Sequence, residues 1–408
     1  MYRQRTIENH LLRMSETFPV VLVTGPRQSG KTTLVQHLGT RQDPPRSYVS
    51  LDEYGPRRLA QDDPELFLQT WRPPVTIDEI QHAPQLLRRI KVLVDRSGKF
   101  GGYWLTGSQH FPLMRGVSES LAGRVGIIRL LGLSRSEEQG DVFSERPFRP
   151  DRVPQAAMTV GEEAPEVFGR IVRGSFPRFV HAPAPPIQAF HDSYLQTYVE
   201  RDVRALSSVA DLAAFERFLR LAAARTGQIL NYSAIARDAQ VAMSTVKEWI
   251  GLLEASFQVV LLRPYAKNIG KRQTRTPKLY FLDTGLACHL AGWHDPEVAF
   301  RGAMAGALFE NHVVGEILKS YWHRGQNAPL YFWRTREGQE VDLLIEEDGL
   351  LFPVEVKLSA SPTRAALRGI DALRRLDVPL GPAAVVCLAE RACPLTADVR
   401  ILPVSALG

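Results

Sequence analysis

Short apolar runs alternate with longer helical stretches through the first 135 residues of the chain. Five of these runs are VVLVTG, SYVSLD, VTIDEI, YWLTGS and VGIIRL. Each contains β-branched or aromatic residues, which is typical of a strand. Strands that alternate with helices indicate a parallel sheet. We therefore predict an α/β domain at residues 1–135.

The hydrophobic pattern changes after this region. Residues 136–165 include SEEQGDVFSERPFRPDRVPQ, which is polar, contains proline and has no period, so we expect a linker or flexible lid there. Residues 166–295 show mainly helical patterns. Within them, ILNYSAIARDAQVAMSTVKEWIGLLEASFQVV predicts a helix, a short turn and a second helix with Ser244 as its N-cap. We interpret this part as a helical and winged-helix domain.

Residues 296–408 return to a mixed α/β pattern, and one stretch there, EVDLLIEEDGLLFPVEVK, predicts a β-hairpin. Asp348 and Gly349 form a dipeptide that closes two-residue turns. This turn sets the register, so that Asp342 faces Glu355. Two opposed carboxylates with Cβ atoms about 5 Å apart repel each other, so another group must compensate.

Composition indicates a globular protein with several domains. The 408 residues are 44% hydrophobic and 23% charged. The net charge of +6 favours a polyanionic partner without establishing one. The three cysteines show neither metal-ligand spacing nor a disulfide framework, which fits a reducing compartment. Because the sequence shows no signal-peptide pattern and no membrane-length apolar run, we expect a cytoplasmic protein without a membrane partner.

The first strand runs into a complete G-x-x-x-x-G-K-[ST] motif. Such a loop wraps phosphates with backbone N–H groups, while its lysine reaches the β and γ phosphates and its hydroxyl binds Mg²⁺. The expected nucleotide-binding residues are Gly25, Pro26, Arg27, Gln28, Ser29, Gly30, Lys31, Thr32 and Thr33. We expect ATP rather than GTP, because no NKxD-type motif for guanine is present.

Three further polar residues follow strands where an ATPase needs them. In VTIDEIQ, Asp78 is expected to hold Mg²⁺ together with Thr32, and Glu79 to polarise the attacking water. The alternative is that these acids only cap the next helix. Ser108, at the end of YWLTGS, is placed to sense the γ-phosphate. Arg124 suits an arginine finger that reaches a neighbouring subunit, or equally a surface arginine at a helix end.

Several blocks together resemble a family of bacterial and archaeal AAA-type ATPases with an uncharacterised, nuclease-like C-terminal domain. These blocks are FPVVLVTGPRQSGKTTL, IDEIQ, LTGSQ, ESLAGR, GSFP, YLQTYVERDV and KLYFLDTGLA. The resemblance covers nearly the whole chain. It implies the P-loop fold, use of ATP and Mg²⁺, and assembly into a homo-oligomer, but no particular substrate.

A basic segment, AKNIGKRQTRTPKLY, follows the winged-helix candidate. Its cations can track phosphates without reading sequence, or they belong to a solvated loop. These residues are Lys267, Lys271, Arg272, Arg275 and Lys278. The second helix of the candidate carries no arginine to read a guanine edge, so we do not expect direct sequence readout.

The C-terminal hairpin matches the PD-(D/E)xK nuclease pattern when an acid from the preceding helix is added. That acid is Glu310; Asp342 lies on the first strand, and Glu355 and Lys357 lie on the second. The three carboxylates are expected to hold Mg²⁺ or Mn²⁺, with Lys357 beside the reacting phosphate. The alternative is an amphipathic hairpin with a solvated charged face.

The sequence therefore predicts an ATP-binding and ATP-hydrolysing protein that acts on nucleic acid through a metal-dependent C-terminal domain. The alternative function is a nucleotide-controlled switch or scaffold. In that case the nuclease-like domain is catalytically silent and binds a protein partner.

Overall fold

A five-stranded parallel sheet forms the centre of the N-terminal domain. The computed structural model describes residues 2–107, 120–141, 146–159, 161–203, 211–266, 268 and 276–407. The strands are β1 (Val20–Thr24), β2 (Ser47–Ser50), β3 (Val75–Asp78), β4 (Tyr103–Gly107) and β5 (Val125–Arg129). Their order is β2-β3-β4-β1-β5, and every neighbouring pair is parallel. The predicted strands and the parallel sheet are confirmed.

Helices cover both faces of this sheet, which explains why its three central strands, β1, β3 and β4, are buried along their whole length. These helices are α1 (Glu8–Thr17), α2 (Lys31–Gly39), α3 (Tyr54–Asp62), α4 (Pro64–Thr70) and α5 (Gln85–Ser97); α6 (Arg135–Gln139) follows β5 along the chain. Alternate residues of β1 enter different cores: Leu22 packs on one side, and Val21 and Val23 pack on the other. Since β4 lies between β1 and β3, the loops after these three strands meet at one edge of the sheet.

The middle part of the chain is a helical bundle that includes two antiparallel strands. Its helices are α7 (Ala164–Arg173), α8 (Ile187–Thr197), α9 (Leu212–Ala223), α10 (Tyr232–Ala239), α11 (Met243–Ala255), α12 (Thr284–Ala291) and α13 (Pro296–Arg301). The strands are β6 (Val259–Pro264) and β7 (Lys278–Phe281). The predicted pair of helices is confirmed as α10 and α11. The N-cap prediction is wrong: Ala242 is the N-cap of α11, and Ser244 lies in its first turn.

The C-terminal part completes an eight-stranded mixed sheet that also includes β6 and β7. Its own elements are α14 (Ala305–Trp322), β8 (Leu330–Arg334), β9 (Glu340–Glu347), β10 (Leu350–Lys357), α15 (Arg368–Arg374), β11 (Ala383–Cys387), β12 (Cys393–Pro394) and β13 (Val399–Pro403). Strand β6 pairs in parallel with β8, so the sheet passes directly from the middle part into the C-terminal part. No helix in the described ranges is long and apolar enough to cross a bilayer.

The predicted hairpin register is confirmed over five residue pairs, from Leu350 opposite Glu347 to Val354 opposite Leu343. Asp348 and Gly349 both have positive φ, 54° and 75°, as a two-residue hairpin turn requires. Helix α14 packs on β10, and α15 packs on β9. The hairpin is therefore not an exposed amphipathic one, and the Glu355 side chain is buried.

The region predicted as a linker or lid contains α6 and a segment that packs on the C-terminal part. Phe148 and Val153 belong to the same apolar core as α14. Arg149 and Arg152 form ion pairs with acids at the hairpin turn, Glu347 and Asp348. Helix α6 begins with a complete capping box between Ser134 and Glu137. These contacts join the N-terminal and C-terminal parts through packed structure.

Buried charges lie where α14 meets the start of α6. Lys319 donates a hydrogen bond to Glu316 (2.9 Å) and another to the carbonyl of Leu133 (2.9 Å). Glu316 also accepts from the backbone N–H of Arg135. Burial opposes ionisation of Glu316, but Lys319, His312 and the backbone N–H of Arg135 together outweigh it and lower the pKa of Glu316 to about 2. Burial lowers the pKa of the neighbouring His312 to about 4.

We predict that acid destabilises this arrangement between pH 7 and pH 4. Unfolded His312 takes up a proton below its ordinary pKa of 6.5, whereas the folded side chain resists protonation until about pH 4. Stability contributed by ionised Glu316 is present above its ordinary pKa of 4.5 and is lost as pH falls towards 2. Both effects have the same sign. The apparent melting temperature, followed by calorimetry, should fall by several degrees, and less so in His312→Asn. A melting temperature that does not change over this range would contradict the prediction.

Candidate functional site

The phosphate-loop motif joins β1 to α2 with a backbone that two glycines make possible. Gly25 has a φ of 154°, and a Cβ atom there would lie 2.0 Å from the carbonyl oxygen of Leu130. Gly30 is the N-cap of α2 and has a left-handed φ of 91°. Without these two glycines the loop cannot lie against the start of the segment after β5 and also enter α2. The loop thus places the N-terminus of α2 at the sheet edge, where free N–H groups attract anions.

Lys31 and Thr32 project from the first turn of α2 in different directions. The ammonium of Lys31 donates to the carbonyl oxygens of Pro26 (2.7 Å) and Gly25 (3.1 Å), so it lies over its own loop. The Thr32 hydroxyl lies 3.0 Å from each carboxylate oxygen of Asp78 at the end of β3. A hydroxyl and a carboxylate in contact form an oxygen donor set that suits Mg²⁺. These residues fit the expected metal.

Two other strands hold Asp78 and Glu79 in place. Asp78 accepts hydrogen bonds from Thr106 on β4 and, at 3.0 Å, from Tyr48 on β2. Thr106 also accepts from the backbone N–H of Glu79 at 3.0 Å. Glu79 has a left-handed φ of 57°, which ends β3 abruptly. Its carboxylate accepts from the Gln81 amide. Thr106 therefore supports both acids that sequence analysis assigned to ATP hydrolysis.

The phosphate loop and Glu79 line a cavity of about 510 Å³. The N-terminal segment and the middle part also line it, and sequence analysis missed both contributions. The additional residues are Tyr2, Arg3, Arg5, Leu133, Pro177, Arg178, His181 and Thr197. The only local signal was the basic start of the chain and the GSFPR block, neither of which has a characteristic spacing. Three arginines from outside the motif thus face this cavity.

Other predicted residues of the first site lie apart from the cavity or outside the described ranges. Ser108 falls outside the described residues. Arg124 forms an ion pair with Asp95 on α5, and it is not among the described residues that line the cavity. The pair is partly exposed to solvent. A role for Arg124 at a neighbouring subunit stays a prediction.

In the basic segment that was expected to contact phosphates, Lys278 has a structural role instead. Lys267, Lys271, Arg272 and Arg275 lie outside the described residues. Lys278 is buried on β7, with its ammonium 2.9 Å from Glu310 and also paired with Glu340. It therefore cannot contact a nucleic-acid backbone, and that assignment is wrong for Lys278. The pattern of basic residues did not show that β7 begins at this lysine.

The opposed carboxylates of the hairpin are compensated by a lysine and a proton. Lys357 Nζ lies 2.9 Å from Glu355 Oε2 and 3.3 Å from Asp342 Oδ2. Asp342 also accepts from the backbone N–H of Val356 at 2.8 Å. Burial, and then the charge of Asp342, raise the pKa of Glu355 to about 9. The raised pKa favours the protonated form of Glu355, and this lessens the repulsion between the two groups.

A second cavity, of about 580 Å³, contains this group but does not include Glu310 among its lining residues. Asp342, Glu355 and Lys357 line it together with Arg368 and Arg375. Burial, and then the charge of Asp342, raise the pKa of Glu310, so Glu310 lies near Asp342, but it does not line this cavity with the other two carboxylates. Glu310 instead accepts from Lys278 and, at 2.5 Å, from the Tyr280 hydroxyl. Across the described residues, no three acids, histidines or cysteines form a group arranged to hold a metal ion.

We predict that Lys278 stabilises the fold as the counter-ion of Glu310 and Glu340. Lys278→Met leaves both carboxylates without this cation, and loss of one partner from a buried ion pair typically costs about 3–5 kcal/mol. Glu310 and Glu340 keep some exposure, so we expect the lower end of this range in urea unfolding. The double variant Lys278→Met with Glu310→Gln should recover part of the loss. Equal stability of Lys278→Met and the unmodified chain would refute the assignment.

Comparison with known protein families matches three consecutive regions. Residues 17–138 match a family described as AAA domain. Residues 165–297 match Domain of unknown function (DUF8612), and residues 305–407 match Domain of unknown function (DUF4143).

Two curated relatives are uncharacterized proteins of Mycobacterium bovis and Mycobacterium tuberculosis. Each is 31% identical over 408 residues, which cover 99% of this chain and 84% of the relative. Among solved structures, Drosophila ORC bound to DNA matches with a TM-score of 0.24 and 10% identity over 70% of this chain and 93% of that chain. A Vibrio cholerae protein matches with a TM-score of 0.17 and 11% identity over 95% of each chain. These scores are too low to support conclusions about fold or function.

Proposed function

Because the chain belongs to the same family as the uncharacterized mycobacterial proteins and carries an N-terminal AAA domain, we propose that it binds ATP with Mg²⁺ and hydrolyses it. The observation that carries the proposal is the convergence of the phosphate loop and Glu79 on one cavity of about 510 Å³. Asp78, one residue before Glu79, contacts Thr32 of the same loop.

Each residue of this group has a distinct task in the proposed reaction. The loop N–H groups and Lys31 hold the β and γ phosphates. Thr32 and Asp78 would hold Mg²⁺, and the bound ion would supply positive charge beside the phosphates. Glu79 accepts a hydrogen bond from the attacking water and so orients it. Arg178, from the middle part, faces the same cavity, so the bound nucleotide contacts two domains.

Two variants separate binding from hydrolysis. Lys31→Ala removes the cation that holds the β and γ phosphates, so ATP affinity should fall at least tenfold. Glu79→Gln removes the base but keeps the size of the side chain, so ATP should bind nearly as well while kcat falls by about 10²–10³. Fluorescent-nucleotide binding and phosphate release measure the two quantities.

Glu65→Gln is a matched control, because Glu65 is an exposed acid on α4 of the same domain. It should leave both quantities unchanged. Unaltered ATP affinity in Lys31→Ala would overturn the assignment of the N-terminal site. Full hydrolysis by Glu79→Gln would overturn the role of Glu79 alone.

A second proposed activity is metal-dependent cleavage of nucleic acid in the 580 Å³ cavity. Oε1 of Glu355 is buried and has no hydrogen-bond partner, and it lies beside the carboxylate of Asp342. Two carboxylates and a lysine fit a divalent cation that binds a phosphate. When bound, such a cation activates water and neutralises phosphate charge. Arg368 and Arg375 supply cations for the rest of a polyanionic substrate.

The pairing of Glu310 with Lys278 supports the alternative, a catalytically silent module in a nucleotide-controlled switch or scaffold. Lys278 pairs with both Glu310 and Glu340, so the charge of Glu310 is neutralised without a metal. A silent domain would retain the PD-(D/E)xK arrangement as a surface for a protein partner. Homo-oligomerisation, with Arg124 acting between subunits, is compatible with either activity.

DNA cleavage distinguishes the two candidates. With plasmid or branched DNA and Mg²⁺ or Mn²⁺, the active form should nick DNA, and Asp342→Ala should abolish nicking. Glu346→Gln, on the same strand, is the control and should cleave normally. If no DNA is cut and Mn²⁺ does not bind by calorimetry, the silent module is the correct assignment. Cleavage that persists in Asp342→Ala would mean that the activity belongs elsewhere or to a contaminant.

A further inference from the structure

Arg5, in the segment before α1, spans the phosphate loop and the segment after β5. Its Nη1 atom donates to the carbonyl oxygen of Ser29 at 2.9 Å, inside the phosphate loop. Its Nη2 atom donates to the carbonyl oxygens of Leu131 (2.8 Å) and Gly132 (3.2 Å). The side chain is only 3% exposed. One guanidinium therefore fixes the position of the loop relative to the sheet.

Glu137 balances the charge of Arg5 from the first turn of α6. Oε2 of Glu137 lies 3.1 Å from Nε of Arg5. The Nε–H of Arg5 forms no hydrogen bond, so this contact is an ion pair. Glu137 also accepts from the backbone N–H groups of Thr6 (2.8 Å) and Ser134 (3.0 Å). It is fully buried. These contacts hold the carboxylate rigidly against Arg5.

His323, at the C-cap of α14, lies on the other side of Glu137. Its Nδ1 atom is 3.3 Å from Oε1 of Glu137. Its Nε2 atom accepts from the backbone N–H of Leu131 at 3.3 Å, so the proton of the neutral ring is on Nδ1, which lies beside the carboxylate without a hydrogen bond to it. Ser29, Arg5, Glu137 and His323 form a continuous chain of contacts. It runs from the phosphate loop to the long helix of the C-terminal part.

We propose that Arg5 is a positioning residue of the nucleotide site, and that Glu137 and His323 couple the phosphate loop to α14. The inference rests on the proposed ATP binding. A phosphate held by the loop restricts the movement of the Ser29 backbone. Because the Arg5 guanidinium donates to the carbonyl oxygen of Ser29, the movement of Arg5 is restricted as well. The restriction reaches α14 through two buried side chains. Nucleotide binding and the order of the C-terminal end of α14 thus stabilise each other.

The kinetic test compares Arg5→Ala and Arg5→Lys with the unmodified full-length chain. Without the guanidinium, the loop loses a charged donor, so KM for ATP should rise about tenfold while kcat changes by less than about threefold. Lysine keeps the charge but cannot bridge Ser29, Leu131 and Glu137 together. The KM of Arg5→Lys should therefore lie between the KM of the unmodified chain and that of Arg5→Ala. Unchanged KM in both variants would overturn the positioning role.

The coupling test follows hydrogen exchange of α14 with and without saturating Mg²⁺ and the non-hydrolysable analogue AMPPNP. In the unmodified chain, the analogue should slow exchange near residues 318–323, and His323→Gln should remove this effect while still binding the analogue. Ser320→Ala is the matched control: it lies on the same helix but bonds Ile317 and Phe148 instead. It should keep the nucleotide effect. Persistence of the effect in His323→Gln would overturn the coupling.

The unmodified chain distinguishes this inference from the proposed function. If it binds no nucleotide, both are wrong. If it binds nucleotide but Arg5→Lys, Arg5→Ala and His323→Gln behave like the parent, only the positioning and coupling are wrong. Should Arg5→Ala fail to fold, Arg5→Lys and His323→Gln still decide, because each keeps the site filled by a polar side chain.

Discussion

Buried charges that must keep their partners hold the N-terminal and C-terminal parts of this chain in one arrangement. Glu137 on α6 and Glu316 on α14 are both buried: Glu137 contacts His323 at the end of α14, and Glu316 accepts from the backbone N–H of Arg135 at the start of α6. An ion pair in such a place adds little net stability when complete, but loss of one member leaves an uncompensated charge. Relative movement of the two parts would break these pairs. The cost of burying charge therefore specifies the docking geometry more narrowly than apolar packing alone.

Sequence patterns predicted those features whose cause is local. The five parallel strands follow from apolar runs bounded by turn residues, and the phosphate loop follows from the spacing of its glycines and Lys31. The hairpin register follows from Asp348 and Gly349 alone, because a two-residue turn permits one pairing. Each of these inferences uses residues fewer than about twenty positions apart.

The features that sequence analysis missed depend on contacts between distant parts of the chain. SEEQ was assigned to a polar linker, yet Glu137 meets Arg5 and His323, which lie 132 positions before it and 186 positions after it. Charged residues in a polar stretch are usually solvated, and only the tertiary fold shows which of them are buried. The same reason explains Lys278: its strand pairs with β6, and β6 pairs with β8 across two parts of the chain.

Helix α14 contacts residues that lie next to both candidate sites, and this gives the long-range coupling a physical basis. Near its start, Glu310 binds Lys278 and Tyr280 beside the acidic group of the hairpin. Near its end, Lys319 and His323 contact the segment that leads into α6. Thirteen residues of helix separate Glu310 from His323, which is about 20 Å at 1.5 Å per residue. A helix of this length moves as a rigid body, so a shift at His323 must also displace Glu310 or bend the helix. Because Glu310 is tied to Lys278 and Tyr280, such a shift would change the geometry of the ion pairs that surround the second cavity.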